Sequence, residues 1–214
     1  MSFNLKFLSG ESWPFSLFLF GAAFILFILL AHYLKNNHVV YFDHSVLTWF
    51  HTIRHPYLDH FFSTITWMGS LWILLPLYLL LTLTLTPQIE HFEKILGITF
   101  WGTVITVYAL KFEFERKRPL LFGAIHELPL DPSFPSAHTA QITAFAFGLT
   151  LALAGTQSLY QGILFSLLLL LVVSVSISRM YLQVHFPTDI MAGILIAFMW
   201  AVITAWIVKT GVLG

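Results

Sequence analysis

Residues 15–34 read FSLFLFGAAFILFILLAHYL, an unbroken stretch without a single Asp, Glu, Lys or Arg. A helix of that length spans the ~30 Å hydrocarbon core of a bilayer. The rest of the chain agrees. Hydrophobic residues make up 58% of the 214 positions and charged residues only 9%, with a mean hydropathy of +0.84. A soluble domain of this composition would lack the polar surface it needs. The sequence therefore describes a single integral membrane domain, all-α. Ten Lys+Arg balance ten Asp+Glu, which excludes a basic nucleic-acid binder and an acidic tail. Cys is absent, so thiol chemistry, thiolate metal sites and disulfides are excluded. Residues 1–13 show no basic segment leading into a short apolar core, so no cleaved signal peptide is expected.

Working outward from 15–34, further apolar stretches cover about 70–86, 95–110, 137–154, 159–177 and 190–208. The expectation is a bundle of about six transmembrane helices. Six spans return the C-terminus to the side of the N-terminus. The opposite side, face B, receives residues 35–69, 111–135 and 178–188. The other side receives the tails and short connections near 88–94 and 155–158.

The first face-B segment is patterned. Phe42, Val46, Phe50, Ile53 and Tyr57 recur at helical spacing, with His44, Thr48, His51 and His55 opposite. This predicts an amphipathic helix lying in the headgroup layer. His51 and His55 have the i, i+4 spacing of metal ligands, but no third ligand stands near them. The expectation is an interfacial anchor and no metal.

Polar groups at the ends of membrane helices are expensive and normally carry function. Three clusters stand out. Lys111 ends the third span, and Arg116, Lys117, Arg118 and Pro119 follow. Pro135, Ser136, Ala137 and His138 open the fourth. Ser178 and Arg179 end the fifth, and His185 and Asp189 lead into the sixth. Span counting alone brings all three to face B. Lys and Arg together favour an oxyanion, and a helix start offers free N–H groups. Ser136 is placed to N-cap that helix. Two His supply a nucleophile or base and an acid near neutral pH. Asp189 lies one helical turn from His185 and can orient its ring.

These three clusters resemble the signature of the type 2 phosphatidic acid phosphatase superfamily. Lys, six residues and Arg-Pro appear as Lys111 through Arg118-Pro119. Pro-Ser-Gly-His appears as Pro135-Ser136-Ala137-His138. Ser-Arg, five residues, His, three residues and Asp appear as Ser178-Arg179, His185 and Asp189. The resemblance covers about residues 61–208, with the motifs between 111 and 189. It implies a metal-independent, cofactor-free hydrolase of lipid phosphate or pyrophosphate monoesters. Candidate substrates are undecaprenyl pyrophosphate, phosphatidylglycerol phosphate, phosphatidate and lipid A phosphate. Lys111, Arg118 and Arg179 would bind the phosphate, with Ser136 and the Ala137 amide adding hydrogen bonds. His185 would attack phosphorus, Asp189 would orient it, and His138 would protonate the leaving oxygen. Three cations can neutralise the charge that Mg²⁺ carries in other phosphoryl transfers. Ala137 departs from the family's Gly. A left-handed backbone there would be strained; a helical one would only narrow the pocket.

Other residues receive plainer readings. Lys35, Lys94 and Lys209 are snorkelling anchors. Arg116 and Lys117 read first as snorkelling anchors, with lipid-headgroup attraction as the alternative and Glu113 and Glu115 as their solvated partners. Tyr181, Gln183 and Phe186 are expected to pack or line the entry. Asp131 reads as the start of the turn Asp131-Pro132-Ser133. Charge bias does not orient the protein: setting aside the three site cations, face B keeps Lys35, Arg54, Arg116 and Lys117 against Lys6, Lys94 and Lys209. The resemblance implies a bacterial inner-membrane protein with an extracytoplasmic site and cytoplasmic termini. The expected partners are a phosphorylated lipid and the bilayer; the sequence sets no oligomeric state. Two other readings stand beside hydrolysis: a lipid phosphotransferase using the same phospho-histidine, and a non-catalytic lipid-binding or transport protein.

Overall fold

The computed structural model describes residues 13–36, 38–123, 125, 130–154 and 160–210. The expectations for the N-terminal segment and for the connection at 155–158 lie outside these residues. Among the described residues there are eight α-helices and no strand. They are α1 (Trp13–Lys35), α2 (Val40–Thr52), α3 (Pro56–Ile65), α4 (Leu71–Leu85), α5 (Phe92–Phe114), α6 (Ala137–Ala152), α7 (Tyr160–Tyr181) and α8 (Pro187–Lys209). A 3-10 turn, Thr66–Gly69, joins α3 to α4.

All six apolar stretches of the sequence are helical, but they are not six equivalent spans. Four helices, α1, α5, α7 and α8, are long and apolar enough to cross a membrane. A fifth crossing is formed if α3, the 3-10 turn and α4 act together, bent by 45°. The remaining stretch, α6, has 16 residues. At ~1.5 Å per residue it is about 24 Å long, short of the hydrocarbon thickness.

What α6 lacks in length it makes up in burial. Ala140, Gln141, Ile142, Thr143, Ala144, Phe145 and Gly148 are all buried, on every side of the helix. It packs against α5, α7 and α8. Small residues allow this close approach. A Cβ added at Gly193 of α8 would come within 2.8 Å of the Ser136 carbonyl, and one at Gly69 within 2.9 Å of the His138 carbonyl. Both glycines press the start of α6 into the centre of the bundle. Polar ties across α5 and α8, Thr99 to Thr204 at 2.9 Å and Trp200 Nε1 to Thr106 at 2.9 Å, set their register where water is absent. The outer faces keep large apolar side chains exposed, among them Leu17, Phe18, Ile25, Leu83, Ile105 and Leu170, as a lipid-facing surface does.

The interfacial helix differs from its expected form. Pro56 starts a separate helix, so the stretch from Phe42 to Tyr57 is broken into α2 and the start of α3. Phe42, Ile53 and Tyr57 are exposed; the buried stripe of α2 is Asp43, Leu47 and Phe50. Of the expected apolar stripe Phe50 is buried and Val46 packs beside it, while Asp43 and Leu47 complete the buried face.

Candidate active site

The ends of α5 and α7 and the starts of α6 and α8 meet at one end of the bundle, beneath α2. The third motif is folded back on itself. Gln183 takes a left-handed backbone, φ 60°, and its side-chain Nε2 donates to the Leu47 carbonyl at 3.0 Å. This turn lets the Val184 and His185 amides both bond the Arg179 carbonyl, at 3.1 and 3.2 Å. His185 thereby faces inward just before Pro187 starts α8. Asp189, third residue of α8, accepts from the Phe186 amide at 2.9 Å. Its carbonyl accepts from the Ser136 amide at 3.0 Å, joining the second motif to the third.

His185 is fully enclosed. Its Nδ1 lies 3.3 Å from Asp189 Oδ2, and its Nε2 lies 3.1 Å from Arg118 Nη1. A carboxylate only accepts and a guanidinium only donates. Both contacts therefore place the ring proton on Nδ1 and the lone pair on Nε2, the form a nucleophile needs. Burial, then the charges of Arg118, Arg179 and Lys111, hold the His185 imidazole well below the ordinary histidine range. It stays neutral at physiological pH.

Asp189 is held from behind by Arg116, for which the sequence suggests a snorkelling anchor or a headgroup contact. Instead Arg116 Nη1 bonds Asp189 Oδ1 at 2.5 Å, and Nη2 bonds Asp43 Oδ2 at 2.6 Å. The guanidinium lies 4.1 Å over the Phe186 ring. Asp43 also accepts from the Thr188 amide at 3.1 Å and hydroxyl at 2.8 Å. Burial pushes the Asp43 carboxyl up, against the pull of Arg116 and Thr188. The two carboxylates share one guanidinium, and both cap the start of α8. Both the snorkelling and the headgroup readings fail for Arg116, because the two buried acids provide a closer and drier partner. The signal for Asp43 was present: an acid in register with Leu47 and Phe50.

The three expected phosphate cations converge on the same end. Lys111, 1% exposed, meets Asp131 Oδ2 at 2.9 Å and bonds the Pro132 carbonyl. Arg118 donates to Asp131 Oδ1 at 2.7 Å, the Asp131 carbonyl at 3.0 Å and the Val184 carbonyl at 2.8 Å. Arg179 Nη1 donates to Thr66 at 2.8 Å, while its Nε is buried with no hydrogen-bond partner. Asp131 is thus more than a turn residue. Burial favours its protonated form, but the hydrogen bond and charge of Lys111 and the charge of Arg118 outweigh this and lower its pKa to about 2.

The second motif supplies the open side. Ser136 takes the N-cap position of α6, but its hydroxyl meets the Thr139 hydroxyl at 3.2 Å rather than capping a backbone amide. Ala137 is the first residue of α6 and is not among the positive-φ residues, which outside glycine are His91, Glu115 and Gln183 among those described. Its methyl therefore fits a helical backbone. His138 lies within the electrostatic reach of Arg179, His185 and Arg118. It also lines a cleft of about 520 Å³ walled by Trp67, Leu71, Trp72, Leu75, Tyr108 and Gln141. Tyr181, Gln183 and Phe186 pack as expected; the Tyr181 hydroxyl donates to Asp59 at 2.6 Å. Among the described residues no group of three or more His, Asp or Glu is gathered to hold a metal ion.

The chain belongs to the PAP2 superfamily, whose sequence profile matches residues 92–212. Phosphatidylglycerophosphatase B of Bacillus subtilis (strain 168) is 30% identical over 185 residues, covering 84% of this chain and 87% of that protein. The crystal structure of a transmembrane PAP2 type phosphatidylglycerolphosphate phosphatase from Bacillus subtilis shares the fold, with a TM-score of 0.81 at 23% identity, over 89% of this chain and 96% of that one. Aquifex aeolicus LpxE matches with a TM-score of 0.60 at 28% identity, over 76% of this chain and 94% of that one.

Proposed function

We propose that this membrane lipid phosphatase of the PAP2 superfamily cleaves a phosphate monoester from a glycerophospholipid by way of phospho-His185, with phosphatidylglycerol phosphate as the favoured substrate. The observation that carries the mechanism is the placing of the His185 ring, Nδ1 3.3 Å from Asp189 and Nε2 3.1 Å from Arg118, from which the proton on Nδ1 and the lone pair on Nε2 follow. The 30% identity to phosphatidylglycerophosphatase B supports the substrate.

In the first step the Nε2 lone pair attacks phosphorus and the bond from phosphorus to the lipid oxygen breaks. The leaving oxygen takes a proton from His138. Asp189 steadies the positive charge that develops on His185. Arg118 and Arg179, with Lys111 behind them, neutralise the equatorial oxygens. The free Arg179 Nε–H suits such an oxygen. In the second step His138 accepts a proton from water, whose oxygen attacks phosphorus. The bond to Nε2 breaks, inorganic phosphate leaves and neutral His185 is restored. The Ser136 hydroxyl and the Ala137 amide border the same oxygens. The apolar cleft at His138 accommodates the lipid chain beside its headgroup.

The reading places six crossings in the bundle, with α6 as a short, protein-sheathed one, the termini cytoplasmic and the site on the outer side of a bacterial inner membrane. The chain contains no Cys, so single cysteines introduced at Ser45 and Thr210 report sidedness cleanly. Labelling of Ser45→Cys and not Thr210→Cys by an impermeant maleimide in intact spheroplasts is expected; the reverse pattern inverts the topology. The activity test measures phosphate release from a lipid panel by the purified chain in detergent. Fastest release from phosphatidylglycerol phosphate is expected. Faster release from undecaprenyl pyrophosphate overturns the substrate, transfer to an acceptor lipid without free phosphate replaces hydrolysis, and no reaction with any lipid removes the enzyme reading.

A further inference from the structure

Asp131 has no part in the steps above, yet both of its carboxylate oxygens sit on cations assigned to the substrate. Oδ1 faces Arg118 and Oδ2 faces Lys111. The backbone carbonyls of Asp131 and Pro132 hold the same two side chains. Arg179, the third cation, makes no ion pair with it and keeps a buried, unpartnered Nε. Exposure separates the partners: the Lys111 and Arg118 side chains are 1% and 7% exposed, that of Asp131 is 40%. The anion, not the cations, stands on the open side and can turn into solvent by rotating two side-chain bonds. Asp43, whose carboxylate is fully buried under its own guanidinium, has no such path. Asp131 is ionised throughout the working pH range, its pKa being about 2.

We propose that Asp131 is a resident counter-anion of the phosphate pocket, competing with substrate and product phosphate for Lys111 and Arg118 and so setting how tightly an oxyanion is held. This rests on the reading of Lys111, Arg118 and Arg179 as that pocket. Between turnovers the carboxylate keeps two buried cations paired, which spares them the penalty of lying unpaired in a dry site. When a phosphoryl group arrives it turns away. When phosphate is to leave, its return supplies the replacement partner. Without it, three cations would face a dianionic product and release it slowly.

The test uses the full-length chain in detergent as wild type, Asp131→Asn and Asp131→Ser, with inorganic phosphate and orthovanadate as probes and binding followed by calorimetry. Both oxyanions should bind the variants on the order of tenfold more tightly. The lipid KM should fall, and a rapid-quench burst of released lipid product should precede slowed turnover. A residue that merely positions the cations gives the opposite sign, so weaker or unchanged oxyanion binding overturns the proposal. If the wild type itself binds neither oxyanion, the pocket reading falls as well. If it binds both and the variants bind no more tightly, only the role of Asp131 falls. Should both variants misfold, carbodiimide-driven amine labelling of Asp131 in the wild type, read by peptide mass spectrometry, is expected to rise when vanadate is bound. Unchanged or reduced labelling overturns the displacement.

Discussion

The two halves of the site are built by opposite rules. Around His185, Asp189, Arg116, Asp43 and Thr188 form a closed set in which each carboxylate is engaged by donors from two or three directions. Around His138 the walls are mostly apolar, with Ser70 and Gln141 among them, the cleft is open, and Arg179 keeps a donor unused. The closed half holds one ring in one tautomer and must not move. In the proposed reaction the open half receives the lipid, and a donor there stays unsatisfied until the phosphate arrives. The contrast is one of saturation: the groups around His185 are all engaged, as are Lys111 and Arg118, whereas Arg179 keeps a donor in reserve.

The largest effect should come from His185, the proposed nucleophile. His185→Asn is expected to lower turnover by roughly four orders of magnitude or more, with insertion and folding retained. Residual turnover above a per cent in the purified variant would reassign the attacking group. Because the folded site refuses a proton on His185, its limb of the acid profile should lie below the ordinary value of about 6.5. The unfolded chain accepts that proton, so this residue's contribution to stability is present above about pH 6.5 and lost as pH falls below it. Thermal melts in detergent across that range check the sign against His185→Asn.

His138→Ala tests the open half. It should cost roughly 10²–10⁴ in rate on a lipid with an alkoxide leaving group. On a nitrophenyl phosphate, whose leaving group is stable as an anion, the loss should be much smaller. Equal losses on both substrates, with binding unchanged, would remove the general-acid role.

Arg116→Ala breaks the closed half from behind. It leaves two buried carboxylates facing each other, a loss of about 3–5 kcal/mol of stability. Arg116→Lys keeps a charge but cannot bridge both acids with separate nitrogens in one plane. It should reduce kcat by roughly 10–100-fold by analogy with other supporting contacts, while leaving KM near its wild-type value. A change confined to KM would mean that Arg116 meets the substrate directly.

The smallest effect is expected at the rim of the cleft. Trp72 is 81% exposed, so Trp72→Ala should hardly alter folding or the hydrolysis of nitrophenyl phosphate. The KM for a long-chain lipid should rise by roughly three- to tenfold, as loss of one aromatic contact allows. A proportional loss on the water-soluble substrate would place the lipid elsewhere.

Much of this was legible in the chain. The apolar stretches named every long helix, because lipid demands an uninterrupted run of apolar side chains whatever the neighbours are. Lys111, Arg118, Arg179, His138, His185 and Asp189 stood out because charge at a helix end in a membrane needs a reason, and their spacings recurred together. The membrane status of α6 was less legible: hydropathy counts apolar length, and a helix made apolar to pack against protein looks like one made apolar to face lipid. The same limit hid Asp43, which takes a buried position on α2 that periodicity reserves for an apolar residue.

What the sequence determined by itself was therefore local: helical runs, their ends, and which chemical groups stood at those ends. What the tertiary structure alone decided was pairing. Arg116 and Arg118 are two residues apart in one loop and identical in chemistry, yet one grips Asp189 and Asp43 and the other faces His185 and Asp131. Asp43 reaches Thr188 across 145 positions, and Thr66 reaches Arg179 across 113. Electrostatic pairing depends on distance in space and on exclusion of water, and neither is encoded by spacing along the chain until the helices have packed.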